Sequence, residues 1–427
     1  MESHEVVISE SQERMLSIVE PGKAQQALEV AERYGLVGAV IGRVAGHGDL
    51  RVRDGGEVLG SVPAEYLADA PVYERDALRP PYLDEVRELE PNDIPPPRDY
   101  NETLLRMLAH PNLCSRRSIF EQYDHQVGAD TVVLPGADAA VMRIKGTKLG
   151  FAATTDGRGR HCYLDPKGGG AATVAEAYRN LSCVGAEPVA ATDCLNFGSP
   201  EKRDSYYQLA ACIEGMAEAC ETFGIPVVSG NVSLYNETEV GAVYPTPVVG
   251  MVGILKDVEC RATPGFKREG DVVVIVGGFR PSLAGSEYLE ILHGRVAGAP
   301  PEPGLALQKR AADAVQRAIE EGILDTAHDL SGGGLGVALA EMALAEGIGV
   351  ELLLPPGGRH DVTLFGETSG CILVAVPEER ISALEAALGD VPYGRIGRVG
   401  GDQLRADGLL ELKLEELREA YERDLFL

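Results

Sequence analysis

The chain has 427 residues, 44% apolar and 25% charged, which is enough for two or three domains with hydrophobic cores. Its formal net charge is −27, from 66 acidic residues against 39 Lys and Arg. Nucleic acid is therefore excluded as a partner, because binding it depends on neutralising phosphates with cations.

In chain order, the first pattern is half of a repeat. Ser9 to Pro21 reads Ser-Glu-Ser-Gln-Glu-Arg-Met-Leu-Ser-Ile-Val-Glu-Pro: an acidic-hydroxyl turn, a strand-like apolar run and a proline. Gly366 to Pro377, Gly-Glu-Thr-Ser-Gly-Cys-Ile-Leu-Val-Ala-Val-Pro, has the same plan. Each continues into a helix-like segment, Ala24 to Tyr34 and Glu379 to Leu388, and each then gives Ile-Gly-Arg-Val, at Ile41 to Val44 and at Ile396 to Val399. The offsets are 367 − 10 = 357 and 396 − 41 = 355 residues, too long for a solenoid and suited to a duplicated domain pair. On this reading the chain opens near the end of one copy and runs through a second. Residues 1–80 are expected to be a partial C-terminal-type domain of a first repeat. Residues 81–100, rich in proline and acid, are expected to be an extended linker. Residues 101–262 and 263–427 are expected to be the two parts of the complete copy, dividing at Thr263-Pro264-Gly265.

In the first part of that copy, Thr131 to Leu134 reads as a strand before Gly136-Ala137-Asp138-Ala139-Ala140. Val174, Ala177, Tyr178 and Leu181 recur at helical spacing, and Gly185 and Pro188 end that helix. Val189 to Thr192 is a short strand leading to Asp193. The stripe Leu209, Cys212, Ile213, Met216, Cys220 and Phe223 is a second helix, after which the strand Ile225 to Val228 delivers Gly230-Asn231-Val232-Ser233. Both polar clusters are thus expected just past strand C-termini, where α/β architectures place ligand groups. Carboxylate and amide oxygens there suit Mg²⁺ and phosphate, although Asp and Asn also cap helices and turns in that position. The last strand of this part is Pro247 to Leu255, which is also the longest apolar run and too short for a bilayer.

In the second part, Asp271 to Gly277 reads as a buried strand and Leu305 to Ile323 as a helix. Ser331-Gly332-Gly333-Gly334 then opens a helix from Val337 to Ala345, either as an anion-binding turn or as a tight packing turn. It has neither the Gly-Lys-Ser/Thr of a Walker loop nor dinucleotide-fold spacing. His328 reads as a hydrogen-bonded core histidine. The eight cysteines are scattered without a C-x-x-C pair, as in a reduced protein, and no leader-like segment opens the chain. A cytoplasmic location and no membrane partner are expected.

Thr192-Asp193-Cys194-Leu195-Asn196-Phe197-Gly198, Gly230 to Glu237, Pro245 to Gly253 and Tyr123-Asp124-His125-Gln126-Val127-Gly128 together resemble one family closely. It is formylglycinamidine ribonucleotide synthase in its small, separate-subunit form, within the aminoimidazole ribonucleotide (AIR) synthetase-like superfamily. The resemblance extends from Ser9 to the C-terminus and implies an α/β (α+β) fold. An AIR synthetase-like N-terminal barrel-forming domain would be followed by a C-terminal α/β domain, both preceded by the remnant of another C-terminal-type domain. It also implies ATP and Mg²⁺ as cofactors, with ATP contacts at Asp193 and Gly230, a Mg²⁺ ligand at Asn231 and substrate contacts at Ser233, Glu10, Ser11 and Gln12, all in one cleft. The implied reaction is ATP-dependent amidation of formylglycinamide ribonucleotide to the amidine in purine biosynthesis. Ammonia would come from a glutaminase subunit in a complex that also holds a small accessory subunit.

The family's Ser-His-Asn-His-Pro loop, which carries its catalytic histidine, has no counterpart here. The corresponding stretch is Asp156-Gly157-Arg158-Gly159-Arg160-His161, with His161 at the proline position. No catalytic residue is therefore assigned, and the chain is expected to supply half a site to a first-half synthetase chain. Self-association through an exposed half-barrel is also expected. The alternative is a catalytically inactive nucleotide-binding scaffold of the same fold; a self-sufficient superfamily homodimer fits least well.

Overall fold

The computed structural model describes every residue except 1, 11, 70, 71, 74, 90–92, 355, 356, 407, 424, 426 and 427. It divides into two compact units, Met1–Glu74 and Arg75–Leu427.

The first unit holds helices Ser3–Ile8, Ala24–Arg33 and Ala64–Ala68, with an antiparallel hairpin of β1 (Asp49–Asp54) and β2 (Glu57–Pro63). None of its described residues is buried. The run Arg14 to Val19, which reads as a strand, belongs to no strand, whereas its repeat counterpart is paired on both sides. A strand is completed by its neighbours' hydrogen bonds, and no described strand lies beside this run.

In the second unit, the described residues of 81–100 include buried side chains. They hold a helix, Tyr82–Arg87, with Leu83 and Ile94 buried. The Tyr82 hydroxyl donates to the Tyr163 carbonyl at 3.1 Å, and Arg359 donates to the Ile94 carbonyl at 2.7 Å. Buried Leu83 and Ile94 anchor a segment whose proline content alone predicts an extended tether.

Beyond it lies a six-stranded sheet of β3 (Thr131–Val133), β4 (Ala140–Arg143), β5 (Gly150–Gly157), β6 (Glu187–Asn196), β7 (Val227–Ser233) and β10 (Thr246–Leu255). The order is β3-β4-β5-β10-β6-β7, antiparallel except for the β6–β7 pair. A two-stranded ribbon, β8 (Glu237–Thr238) and β9 (Gly241–Ala242), projects between β7 and β10. Burial alternates strictly along β10, so one sheet face is packed and the other half-open. Two helices, Pro166–Cys183 and Arg203–Phe223, cover the packed face. The first is capped by Asp165, and the second ends at Gly224 in the left-handed region. They cross backbone to backbone, since a Cβ on Gly215 would lie 1.9 Å from the Lys167 carbonyl oxygen and one on Gly170 2.4 Å from that of Cys212.

The rest is a seven-stranded sheet of β11 (Val272–Val276), β12 (Thr326–Leu330), β13 (Val350–Leu352), β14 (Cys371–Val376), β15 (Tyr393–Val399), β16 (Gln403–Ala406) and β17 (Leu410–Lys413). Its order is β12-β14-β11-β15-β13-β16-β17. Helices Leu305–Glu320 and Gly334–Glu346 pack on it and supply much of its core. Among the described residues no helix is long and apolar enough to cross a membrane.

Candidate functional site

The first polar cluster sits inside the ladder rather than beyond it. Pairing with β10 carries β6 through to Asn196, opposite Thr246, so Asp193 lies within the strand, as do Gly230, Asn231 and Ser233 in β7. The expectation of residues just past strand ends is corrected on this point: the antiparallel neighbour extends a strand whose own apolar run stops at Thr192.

The parallel register puts Asp193 opposite Gly230, Cys194 opposite Asn231 and Asn196 opposite Ser233. Asp193 leans over Gly230, with its Oδ1 2.7 Å from where a Cβ would stand, so a side chain at position 230 would displace the carboxylate. Partial burial raises the Asp193 pKa. Strand alternation places Asp193 and Gly230 on the helix-covered face, between buried Ala191 and Leu195. Asn231 and Ser233 project to the half-open face. Because β7 is the edge strand, a ligand touching all four residues must cross at that edge.

Asn231 donates to the Cys194 sulfur at 3.6 Å and stays exposed, leaving its amide oxygen directed away from that contact. The Ser233 hydroxyl donates to Asn236 Oδ1 at 3.2 Å, and Asn236 ties the turn to the Phe197 carbonyl at 3.1 Å. Glu237 receives the Ser199 amide at 2.8 Å and Lys202 at 2.6 Å. Tyr235 adopts φ +62°, a left-handed conformation that costs a non-glycine residue free energy, held by these bonds. In the first unit Gln12 donates to Glu10 at 3.2 Å, both exposed; Ser11 lies outside the described residues.

A second concavity of about 430 Å³ lies between the two sheets, lined by Asp138, Asp156, Glu176, His328, Asp329 and Glu341 among others. His328 is clamped between Asp138 (3.0 Å) and Glu341 (3.2 Å). Burial opposes its charge, but the two carboxylates outweigh burial and hold its pKa well above the ordinary histidine value. Burial and the neighbouring Glu176 push Asp156 well up. Arg179 meets Asp329 with two nitrogens, at 2.6 and 3.0 Å. Among the described residues no group of three His, Cys, Asp or Glu is placed to hold a metal ion.

Behind this cavity the chain supplies its own anion. Glu367 Oε1 accepts the Glu287 amide at 2.7 Å and the Gly333 amide at 3.1 Å, so it occupies the start of the Gly334–Glu346 helix. The Ser331–Gly334 turn is therefore an anion site filled from within. His161 Nε2 lies 3.3 Å from Glu367 Oε2, with Arg160 at 3.9 Å and Arg158 at 4.0 Å; Arg158 also pairs with Glu176. Burial alone would raise the Glu367 pKa, yet His161 and the two arginines bring it down to about 2. Glu176 and Glu367 were not among the residues singled out for this role. A signal existed for Glu367, which is the repeat partner of Glu10.

The chain matches the AIR synthase related protein N-terminal domain over residues 136–255. It matches the C-terminal domain of the same family over residues 1–55 and again over 268–407. It is 49% identical to phosphoribosylformylglycinamidine synthase subunit PurL of Moorella thermoacetica over 432 aligned positions, covering 100% of this chain and 59% of that protein. Thermotoga maritima PurL complexed with ATP superposes with a TM-score of 0.62 at 30% identity, over 94% of this chain and 57% of that one. The same protein complexed with FGAR gives 0.61 at 31% identity, over 94% and 55%. The chain thus spans less than two thirds of the length of these relatives. With half-barrel sheet, C-terminal α/β domain and matching sequence together, the chain belongs to the AIR synthase related family, in the branch of the phosphoribosylformylglycinamidine synthase PurL subunits.

Proposed function

We propose that the chain contributes the Asp193–Ser233 half of a site for ATP-dependent amidation of formylglycinamide ribonucleotide, with the remainder of the site on a first-half synthetase polypeptide. The observation that carries this reading is the β6–β7 register, which lines up a carboxylate, a glycine, an amide and a hydroxyl across one strand pair. ATP-bound and FGAR-bound PurL from Thermotoga maritima support the same ligands here. Relatives described as subunits support a multi-subunit complex; in this reading a glutaminase subunit supplies the ammonia and a small accessory subunit takes part.

In this reading the glycinamide carbonyl oxygen of the substrate attacks the γ-phosphorus of ATP, an O–P bond forms and ADP departs. Ammonia then adds to the activated carbon, the C–O bond breaks and phosphate leaves the amidine behind. Asn231 offers one amide oxygen of the hard kind that Mg²⁺ accepts, and the ion's other ligands would be phosphate and water; bound there it supplies charge neutralisation. Asp193, raised in pKa and seated against Gly230, holds a nucleotide group at the strand edge, and Ser233 orients the substrate. The family resemblance also assigns substrate contacts to Glu10, Ser11 and Gln12.

The test is ADP release with Mg²⁺, formylglycinamide ribonucleotide and ammonium, from the chain alone and mixed with a separately made first half. ADP release only in the mixture supports the reading. ATP binding without turnover in either case would replace it with the inactive scaffold, and absence of ATP binding in both would overturn it.

A further inference from the structure

One side chain inside the candidate site has been given no part in it: Cys194. It stands on β6 directly opposite Asn231 on β7, on the half-open face of the sheet. Its sulfur accepts the Asn231 amide at 3.6 Å and the Asn196 amide at 3.8 Å. Asn196, two residues further along the same face, is itself fixed. It donates to the Cys194 carbonyl at 2.9 Å and to the Thr246 carbonyl of β10 at 3.2 Å. A line of contacts therefore runs from β10 through Asn196 and the Cys194 sulfur to Asn231 on the edge strand.

Asn231 needs such a hold. Its side chain is exposed, and among the described residues the Cys194 sulfur is its one hydrogen-bond partner. The last torsion of an asparagine is broad and roughly two-fold, so an unheld amide presents its oxygen and its nitrogen about equally. Toward Mg²⁺ the two ends differ completely. The oxygen is a hard ligand, whereas the NH₂ group carries only donors. A sulfur that accepts the N–H group removes this degeneracy and leaves the oxygen pointing outward. The thiol does not compete for the ion, because Mg²⁺ takes oxygen and sulfur suits softer metals.

We infer that Cys194 is a positioning residue, whose sulfur holds the Asn231 amide with its oxygen toward the metal–nucleotide complex. The inference rests on the ATP site proposed above and adds to it the group that decides which end of Asn231 meets the ligand. Cys194 is also one of two partly exposed thiols; the other is Cys260, and the remaining six cysteines are buried. Cys260 follows the Leu255 end of β10, whereas Asn196 pairs at the Thr246 end, so the two thiols lie toward opposite ends of the sheet.

The test is a double-mutant cycle, read by titration calorimetry of Mg-ATP into the full chain mixed with the separately made first half. Cys194→Ala is expected to weaken Mg-ATP binding about fivefold, and Cys194→Ser, which keeps an acceptor, to stay within about twofold of wild type. In an Asn231→Ala background Cys194→Ala has no further effect, because the sulfur has nothing left to orient. A second measurement needs no variant: Mg-ATP slows alkylation of Cys194 by iodoacetamide and leaves that of Cys260 unchanged, as peptide mass spectrometry reads it. Full affinity in Cys194→Ala, a serine variant as weak as the alanine one, or an equal loss in both backgrounds would overturn the inference and leave the ATP site standing. Alkylation of Cys194 that bound Mg-ATP does not slow would do the same. Absence of Mg-ATP binding by the wild-type mixture would overturn the site reading, and this inference with it.

Discussion

Replacing Glu367 by glutamine keeps the shape of the side chain and removes one buried negative charge from the junction of the two sheets. The residue is 2% exposed, so solvent screening does little to discount its interactions. Burial works against its charge, but His161, Arg160 and Arg158 bring the carboxyl from an ordinary 4.5 to about 2. A displacement of roughly 2.5 on the pH scale, at ~1.4 kcal/mol each, is about 3 kcal/mol of stability at neutral pH. That agrees with the 3–5 kcal/mol typical of removing one partner from a buried ion pair. Because the folded value lies below the unfolded one, the contribution is complete above pH 4.5 and fades as the pH falls toward 2. Urea unfolding of wild type and Glu367→Gln, followed through the Arg75–Leu427 unit, is therefore expected to differ by about 3 kcal/mol at pH 7 and about 2 at pH 3.5. Equal stability at pH 7, or a gap that widens on acidification, would refute the assignment of Glu367 as the internal anion of this cleft.

Gly215→Ala drives a methyl group onto the Lys167 carbonyl and should cost about 2 kcal/mol or more, visible as a Tm several degrees lower; an unchanged Tm would mean the helices can separate freely. His328 is held protonated by Asp138 and Glu341, so its contribution is complete below pH 6.5 and is lost as the pH rises through its elevated folded value. Thermal melts of His328→Gln should therefore approach wild type at alkaline pH, and a gap independent of pH would count against that clamp. Asp193→Asn and Asn231→Ala are each expected to weaken Mg-ATP binding by about tenfold in titration calorimetry, near the ~1.4 kcal/mol of one polar contact. Unchanged affinity in both would remove this strand pair from the nucleotide site.

Much of this architecture is legible in local pattern. Helical spacing from Val174 to Leu181 and from Leu209 to Phe223 gives two helices that are present, because an amphipathic stripe needs only its own residues to be recognised. The 357-residue repeat similarly relates Glu10 to Glu367 without coordinates. Local pattern does not show how far β6 runs, because its last residues are strand through pairing with β10 and β7. It does not show that Asp193 and Asn231 face opposite sides of the sheet, which follows from strand register. Nor does it show that the Ser331–Gly334 turn is already filled: Glu367 reaches it from 34 residues away, and long-range pairing of charges is decided by the folded path of the chain. By itself the sequence determined the elements, the duplication and the family. The tertiary structure alone decided which polar groups neutralise one another inside the protein and which stay free for a ligand, because burial and distance set that balance.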